Sequence, residues 1–299
     1  MKRAAWLILA LMLVLMGLGC GSSSGGPATG QQAGKLRVVT TTGILADLVR
    51  QLGGDQVEVT ALMGPGVDPH LYKASPGDIQ KLEKADLIVS NGLHLEGKMA
   101  AVLEQLAKRK RVHAFSDGIP ADRLIEADGA EDPHVWFDPL LLAEGVPELA
   151  EQLGSEVKPG PVLEDLKKLH DEVEATLAAV PKNRRILVTA HDAFRYFGRA
   201  YEFEVLGVQG ISTESEAGLR EINQLVDTLV SKKIPAVFIE SSVSPRGVQA
   251  LIEGARQRWS QVQEGGSLYS DALGDAASGA DTYRGMVLAN AKTIAEALK

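Results

Sequence analysis

From residue 36 onward the chain alternates short apolar runs with longer amphipathic stretches, and this alternation restricts its fold more than any other feature. Residues 36–40, 57–62, 86–90 and 111–115 have the composition of strands, and 44–52, 76–84 and 95–108 between them have helical spacing. Strand and helix in strict alternation imply a parallel sheet covered by helices, because parallel neighbours need a long crossover. The rhythm restarts in the second half. Strands are expected at 185–189, 204–208, 236–240 and, weakly, at 259–263; helices are expected at 193–200, 216–232, 245–256 and 282–298. Between the two series lie a helix at 139–153, a sharp break at Lys158-Pro159-Gly160-Pro161 and an amphipathic helix at 162–179. That helix carries Val162, Leu166, Leu169, Val173 and Leu177 on one stripe and is about 27 Å long. The expected fold is α/β with two lobes, 36–157 and 184–299, joined by this single connector helix within 158–183.

Against that frame one tripeptide stands out because it occurs twice. Asp68-Pro69-His70 and Asp132-Pro133-His134 each place an imidazole two residues after an aspartate, across a proline. Proline fixes its own φ and pushes the preceding residue out of the α region, so each histidine sits on a stiffened turn. Trp136 and Phe137 give the second turn an apolar anchor. A lone histidine of this kind is more often a satisfied core residue than a ligand. Two of them, both pre-set on turns, point to two ligands for one metal ion.

Two further residues complete a set. Residues 186–194 run from an apolar strand into a helix, which puts His191 at the carboxyl end of a strand, where open α/β sheets hold their ligands. Asp271 lies in a loop of small residues before the last helix. Three imidazoles and one carboxylate make a closed donor set for a tetrahedral divalent ion. Such a set suits Zn²⁺, and by the Irving–Williams order three nitrogens favour it over Mn²⁺. With two donors from each half, the ion is expected in the cleft between lobes. Glu240, at the end of a strand, is expected to accept the free ring N–H of one of these histidines.

Bulk properties restrict the partners. The 299 residues carry 31 basic and 39 acidic side chains, a net charge of −8. That excess argues against nucleic acid or an anionic membrane surface, both of which need a basic face. Lys2 and Arg3 followed by apolar residues 6–18 read as a targeting segment, too short to span a bilayer. It ends at Gly19-Cys20, and Cys20 is the only cysteine. This resembles the lipid-modified cysteine of a bacterial lipoprotein, although Gly17 stands where leucine is usual. Residues 21–34, rich in Gly, Ser and Gln, read as a flexible tether. Without Lys2 and Arg3 the balance is 29 basic against 39 acidic, or −10.

Taken together, Gly64-Pro65-Gly66-Val67-Asp68-Pro69-His70, Asn91-Gly92-Leu93-His94-Leu95-Glu96, the 132–139 turn, Thr189-Ala190-His191-Asp192-Ala193-Phe194, Phe238-Ile239-Glu240-Ser241-Ser242 and the 268–274 loop resemble the TroA-like zinc/manganese solute-binding proteins of bacterial ABC importers. The resemblance implies two α/β lobes joined by one long helix, with metal held by His70, His134, His191 and Asp271. It also implies a non-enzymatic, monomeric receptor outside the cytoplasmic membrane that hands Zn²⁺ or Mn²⁺ to a permease. Glu126 to Asp132 is acidic but lacks the histidines of the accessory loop that many zinc-dedicated members carry. His113 and His170 read as surface or packing residues, and His94 as an outer neighbour of the site. Competing readings are a secreted zinc hydrolase, in which Asp271 is a base, and a surface adhesin that metal merely stabilises. Because ligating imidazoles are neutral, binding is expected to weaken as pH falls through about 6.5.

Overall fold

The computed structural model describes residues 34–127, 129–258 and 261–299. The targeting segment, Cys20 and most of the tether, together with Trp259 of the last expected strand, lie outside them.

In the first lobe, β1 (Leu36–Thr40), α1 (Gly43–Gly53), β2 (Val57–Ala61), α2 (Pro76–Lys84), β3 (Leu87–Ser90), α3 (Ala100–Ala107) and β4 (Val112–Ala114) follow one another. The strands form one parallel sheet in the order β2-β1-β3-β4. Helix α2 shows why local sequence settles these boundaries. Ser75 and Asp78 form a reciprocal capping box and Pro76 takes the first helical position, where its missing N–H costs nothing. Helix α3 starts later than expected. Gly97 opens a short 3-10 turn, and α-helix is reached only at Ala100. A small hairpin, β5 (Glu126–Ala127) with β6 (Ala130–Glu131), was not foreseen.

Helix α4 (Pro139–Leu153) begins on Asp138, whose carboxylate accepts the N–H groups of Leu140 and Leu141, and it contains Pro147. Helix α5 (Gly160–Leu177) follows, 18 residues long. Its expected stripe is buried against α4 and the last helix.

The second lobe contains β7 (Ile186–His191), α6 (Arg195–Tyr201), β8 (Glu204–Gln209), α7 (Leu219–Lys232), β9 (Ala236–Glu240), α8 (Arg246–Arg256), β10 (Gln263–Leu268) and α9 (Tyr283–Leu298). Parallel pairs β7–β8 and β9–β10 meet where β7 packs beside β9. The last strand corrects the sequence expectation of 259–263. It starts at Gln263 and runs through Gly265 and Gly266, with a register break between Glu264 and Ser267. Gly266 has φ +122°, so a pair that reads as a turn sits in a bulged strand.

One hydrophobic core runs under both lobes, from Val38 through Phe137, Phe194 and Phe238 to Leu298. At its centre the Phe137 and Phe194 rings stack with centroids 4.2 Å apart. This stack ties the turn bearing His134 to the turn after His191. Among the described residues no helix is long and apolar enough to cross a membrane.

Candidate metal centre

His70, His134, His191 and Asp271 converge. One donor atom from each lies within 4.8 Å of all the others, and all four residues are buried. His70 comes from the loop after β2, His134 from the turn before α4, His191 from the last residue of β7 and Asp271 from the loop after β10. The positions of His70, His191 and Asp271 follow from parallel topology, which directs the carboxyl ends of β2, β7 and β10 to the same seam, whereas His134 is brought there by the turn that leads into α4.

The distances have a chemical meaning. His134 Nε2 lies 3.3 Å from His191 Nε2, and Asp271 Oδ1 lies 3.5 and 3.4 Å from those two nitrogens. A tetrahedron with metal–ligand bonds of about 2.0–2.1 Å has edges of about 3.3–3.4 Å. Asp271 Oδ1 and His70 Nε2 are buried without a hydrogen-bond partner, which native proteins rarely tolerate.

Around the donors a second set of groups fixes their orientation. Glu240 accepts the backbone N–H of His191 at 2.9 Å through Oε1 and meets ring Nδ1 at 2.5 Å through Oε2. Asp132 does the same for His134, 3.0 Å from its N–H and 2.7 Å from Nδ1, both through Oδ1. With each Nδ1 so occupied, Nε2 is the nitrogen left to face a cation. Ser242 donates to Asp271 Oδ2 at 3.2 Å, and Trp136 Nε1–H donates to the Ser270 carbonyl at 2.9 Å, which holds the Asp271 loop. Asn91 donates to the Pro133 carbonyl at 3.0 Å, so the Asn91–Glu96 motif supports the His134 turn.

Sequence reasoning gave Asp132 only a role in stiffening the turn and missed its contact with the ring. The available signal was its spacing, which equals that of Asp68. His94 is exposed at the rim of the cleft with φ +60°. His113 is buried 3.8 Å from Glu148, and His170 stacks on Tyr201.

The electrostatics are set by carboxylates facing imidazoles. Burial depresses the pKa of His134, but the charge of Asp132 and then Asp271 outweighs it and raises the value to about 8. Burial likewise opposes, and Glu240 with Asp271 overcomes, in raising His191 well above the ordinary range. His70 goes the other way. Burial pushes it down to about 4, with Asp271 only partly offsetting. Burial raises Asp271, yet the three imidazoles hold it well below the usual carboxylate range.

An open cavity of about 910 Å³ beside Lys233, Pro235 and Gln263 lies at the opposite end of β9 and β10 and shares no residue with this group.

Two parallel-sheet lobes closing on a buried donor cluster define a two-lobed solute-binding protein. The family model "ZnuA: Zinc-uptake complex component A periplasmic" matches residues 38–297, and the chain belongs to that family. The manganese-binding lipoprotein MntA of Bacillus subtilis (strain 168) is 45% identical over 294 residues, with 94% of each chain covered. The zinc-binding protein TroA of Treponema pallidum (strain Nichols) is 46% identical over 276 residues, 89% of each. The solved structure of periplasmic TroA from Treponema pallidum superposes with a TM-score of 0.84 at 44% identity, covering 89% of this chain and 99% of that one. Members of the family are metal receptors of ABC importers, not enzymes. The hydrolase reading falls with this. It needed Asp271 to stand apart as a base, whereas Oδ1 lies among the ring nitrogens.

Proposed function

We propose that this chain captures one divalent transition-metal ion on His70, His134, His191 and Asp271 and delivers it to an ABC-type permease. The observation that carries the reading is the 3.3–3.5 Å spacing of the His134, His191 and Asp271 donor atoms, with a His70 nitrogen within 4.8 Å of each, which matches the edges of a small metal tetrahedron. Three nitrogens and those edges favour Zn²⁺ as cargo. Mn²⁺ is the second reading, supported by the 45% identity to a manganese-binding lipoprotein. Glu240 and Asp132 set the tautomers of His191 and His134. The lobes comprise 36–157 and 184–299 and are joined through α5 (Gly160–Leu177). The protein works outside the cytoplasmic membrane as a monomer, anchored by lipid on Cys20.

The test is metal analysis of the protein from its native host, paired with calorimetric titration of Zn²⁺ and Mn²⁺. One ion per chain is expected in wild type, with affinity lost in His191→Ala and Asp271→Ala. Unchanged binding in both variants refutes the site. Labelled fatty acid incorporated by wild type and not by Cys20→Ser tests the anchor.

A further inference from the structure

The two Asp-Pro-His turns share one hydrogen bond and differ in what else the aspartate holds. In each, aspartate Oδ1 accepts the N–H of the histidine two residues on, at 2.9 Å for His70 and 3.0 Å for His134. Asp132 also holds the ring of its own histidine. Asp68 does not. Its Oδ2 accepts the hydroxyl of Thr213 at 2.6 Å.

Thr213 belongs to the segment 210–218 between β8 and α7, which has a glycine at each end. The next residue, Glu214, pairs with Lys98 at 2.8 Å. The segment thus lies against a cleft of about 210 Å³ lined by His70, Leu93, His94, Pro133, Ser212 and Glu214. Of the four donors His70 alone lines this cleft. It is also the donor whose ring no carboxylate backs among the described residues, whereas His134, His191 and Asp271 are held by Asp132, Glu240 and Ser242.

We infer that segment 210–218 is a gate latched to the His70 turn through Thr213 and Asp68, and that His70 is the first donor an entering ion meets and the last it leaves. The inference rests on the metal-capture reading above. On this inference both cross-contacts part when an ion passes. The Lys98–Glu214 pair is exposed, 39% and 42% on the two side chains, and pairs of that kind contribute little. The Thr213–Asp68 bond is short, charge-assisted and largely shielded, so it is the main latch. A latch that must open for passage in either direction slows capture and release together, unlike a ligand, whose loss raises release and Kd alike.

The experiment uses Zn²⁺ alone with the full chain, measuring release into excess chromogenic chelator and capture by stopped flow. Thr213→Val should speed both about tenfold while Kd moves less than about threefold. Thr213→Ser, which keeps the hydroxyl, should return wild-type rates, and Lys98→Ala should change them less than about twofold. Unaltered rates in Thr213→Val, or a Kd that rises as much as the release rate, overturn the gate while leaving metal capture intact. Absence of Zn²⁺ binding by wild type overturns both.

Discussion

Loading the site should expel at least one proton. His134, raised to about 8 against burial by Asp132 and Asp271, and His191, raised well above the ordinary range by Glu240 and Asp271, face each other with Nε2 atoms 3.3 Å apart. Both Nδ1 positions are already bonded to carboxylates, so two bare Nε2 lone pairs at that distance repel, and a proton between them relieves the contact. His70, lowered to about 4 by burial, is neutral at pH 7 and contributes no proton. An ion entering at pH 7 therefore displaces a proton from the His134–His191 pair. The sign follows directly. Proton and metal compete, so affinity falls as pH falls, and each displaced proton weakens Kd tenfold per pH unit, about 1.4 kcal/mol. From pH 8 to pH 6 the expected weakening is about 100-fold per proton. The window opens near 8 and not near 6.5, the value that unperturbed histidines imply. Titrating Zn²⁺ calorimetrically at pH 7 in buffers of different ionisation enthalpy reads the number of protons from the slope of apparent enthalpy. A slope of zero with Kd flat between pH 6 and 8 refutes the argument.

Three further outcomes are expected. Glu240→Gln and Asp132→Asn should each weaken Zn²⁺ binding about 10–100-fold, because each loses a carboxylate that orients a ring; calorimetry that finds under twofold in both contradicts the assignment. Phe194→Ala should cost about 3–5 kcal/mol in denaturant unfolding, since its ring is fully buried in the stack with Phe137; a loss under 1 kcal/mol means that the stack does not bind the two turns. Gly207→Ala would put a Cβ 2.5 Å from Asp192 N and Gln209 O, so the backbone beside His191 must shift. It should cost about 1–3 kcal/mol and weaken Zn²⁺ binding, and unaltered Tm and Kd argue that the strand end is free to give.

What the sequence discloses and what it hides divides along local and non-local lines. Helix α2 and strand β1 have the bounds their patterns predict because cap, period and terminus all lie within a few residues. The pattern misplaces β10 because Gly265 and Gly266 carry no side chain to signal a strand, and its identity comes from pairing with β9. The hairpin β5–β6 is too short to show a period. The site divides in the same way. His191 was legible because a strand end in a parallel sheet is a recurrent ligand position. Glu240 was legible as a carboxylate at such an end, but which imidazole it meets depends on β7 lying beside β9. The twin turns make the limit sharpest. Asp68 and Asp132 have identical local sequence and the same bond to a histidine N–H. Yet Asp132 binds the ring of its own histidine and Asp68 a threonine 145 residues away, so no reading of the tripeptide separates them. The difference between a fixed donor and a gated one is written in the partner that the fold brings within reach.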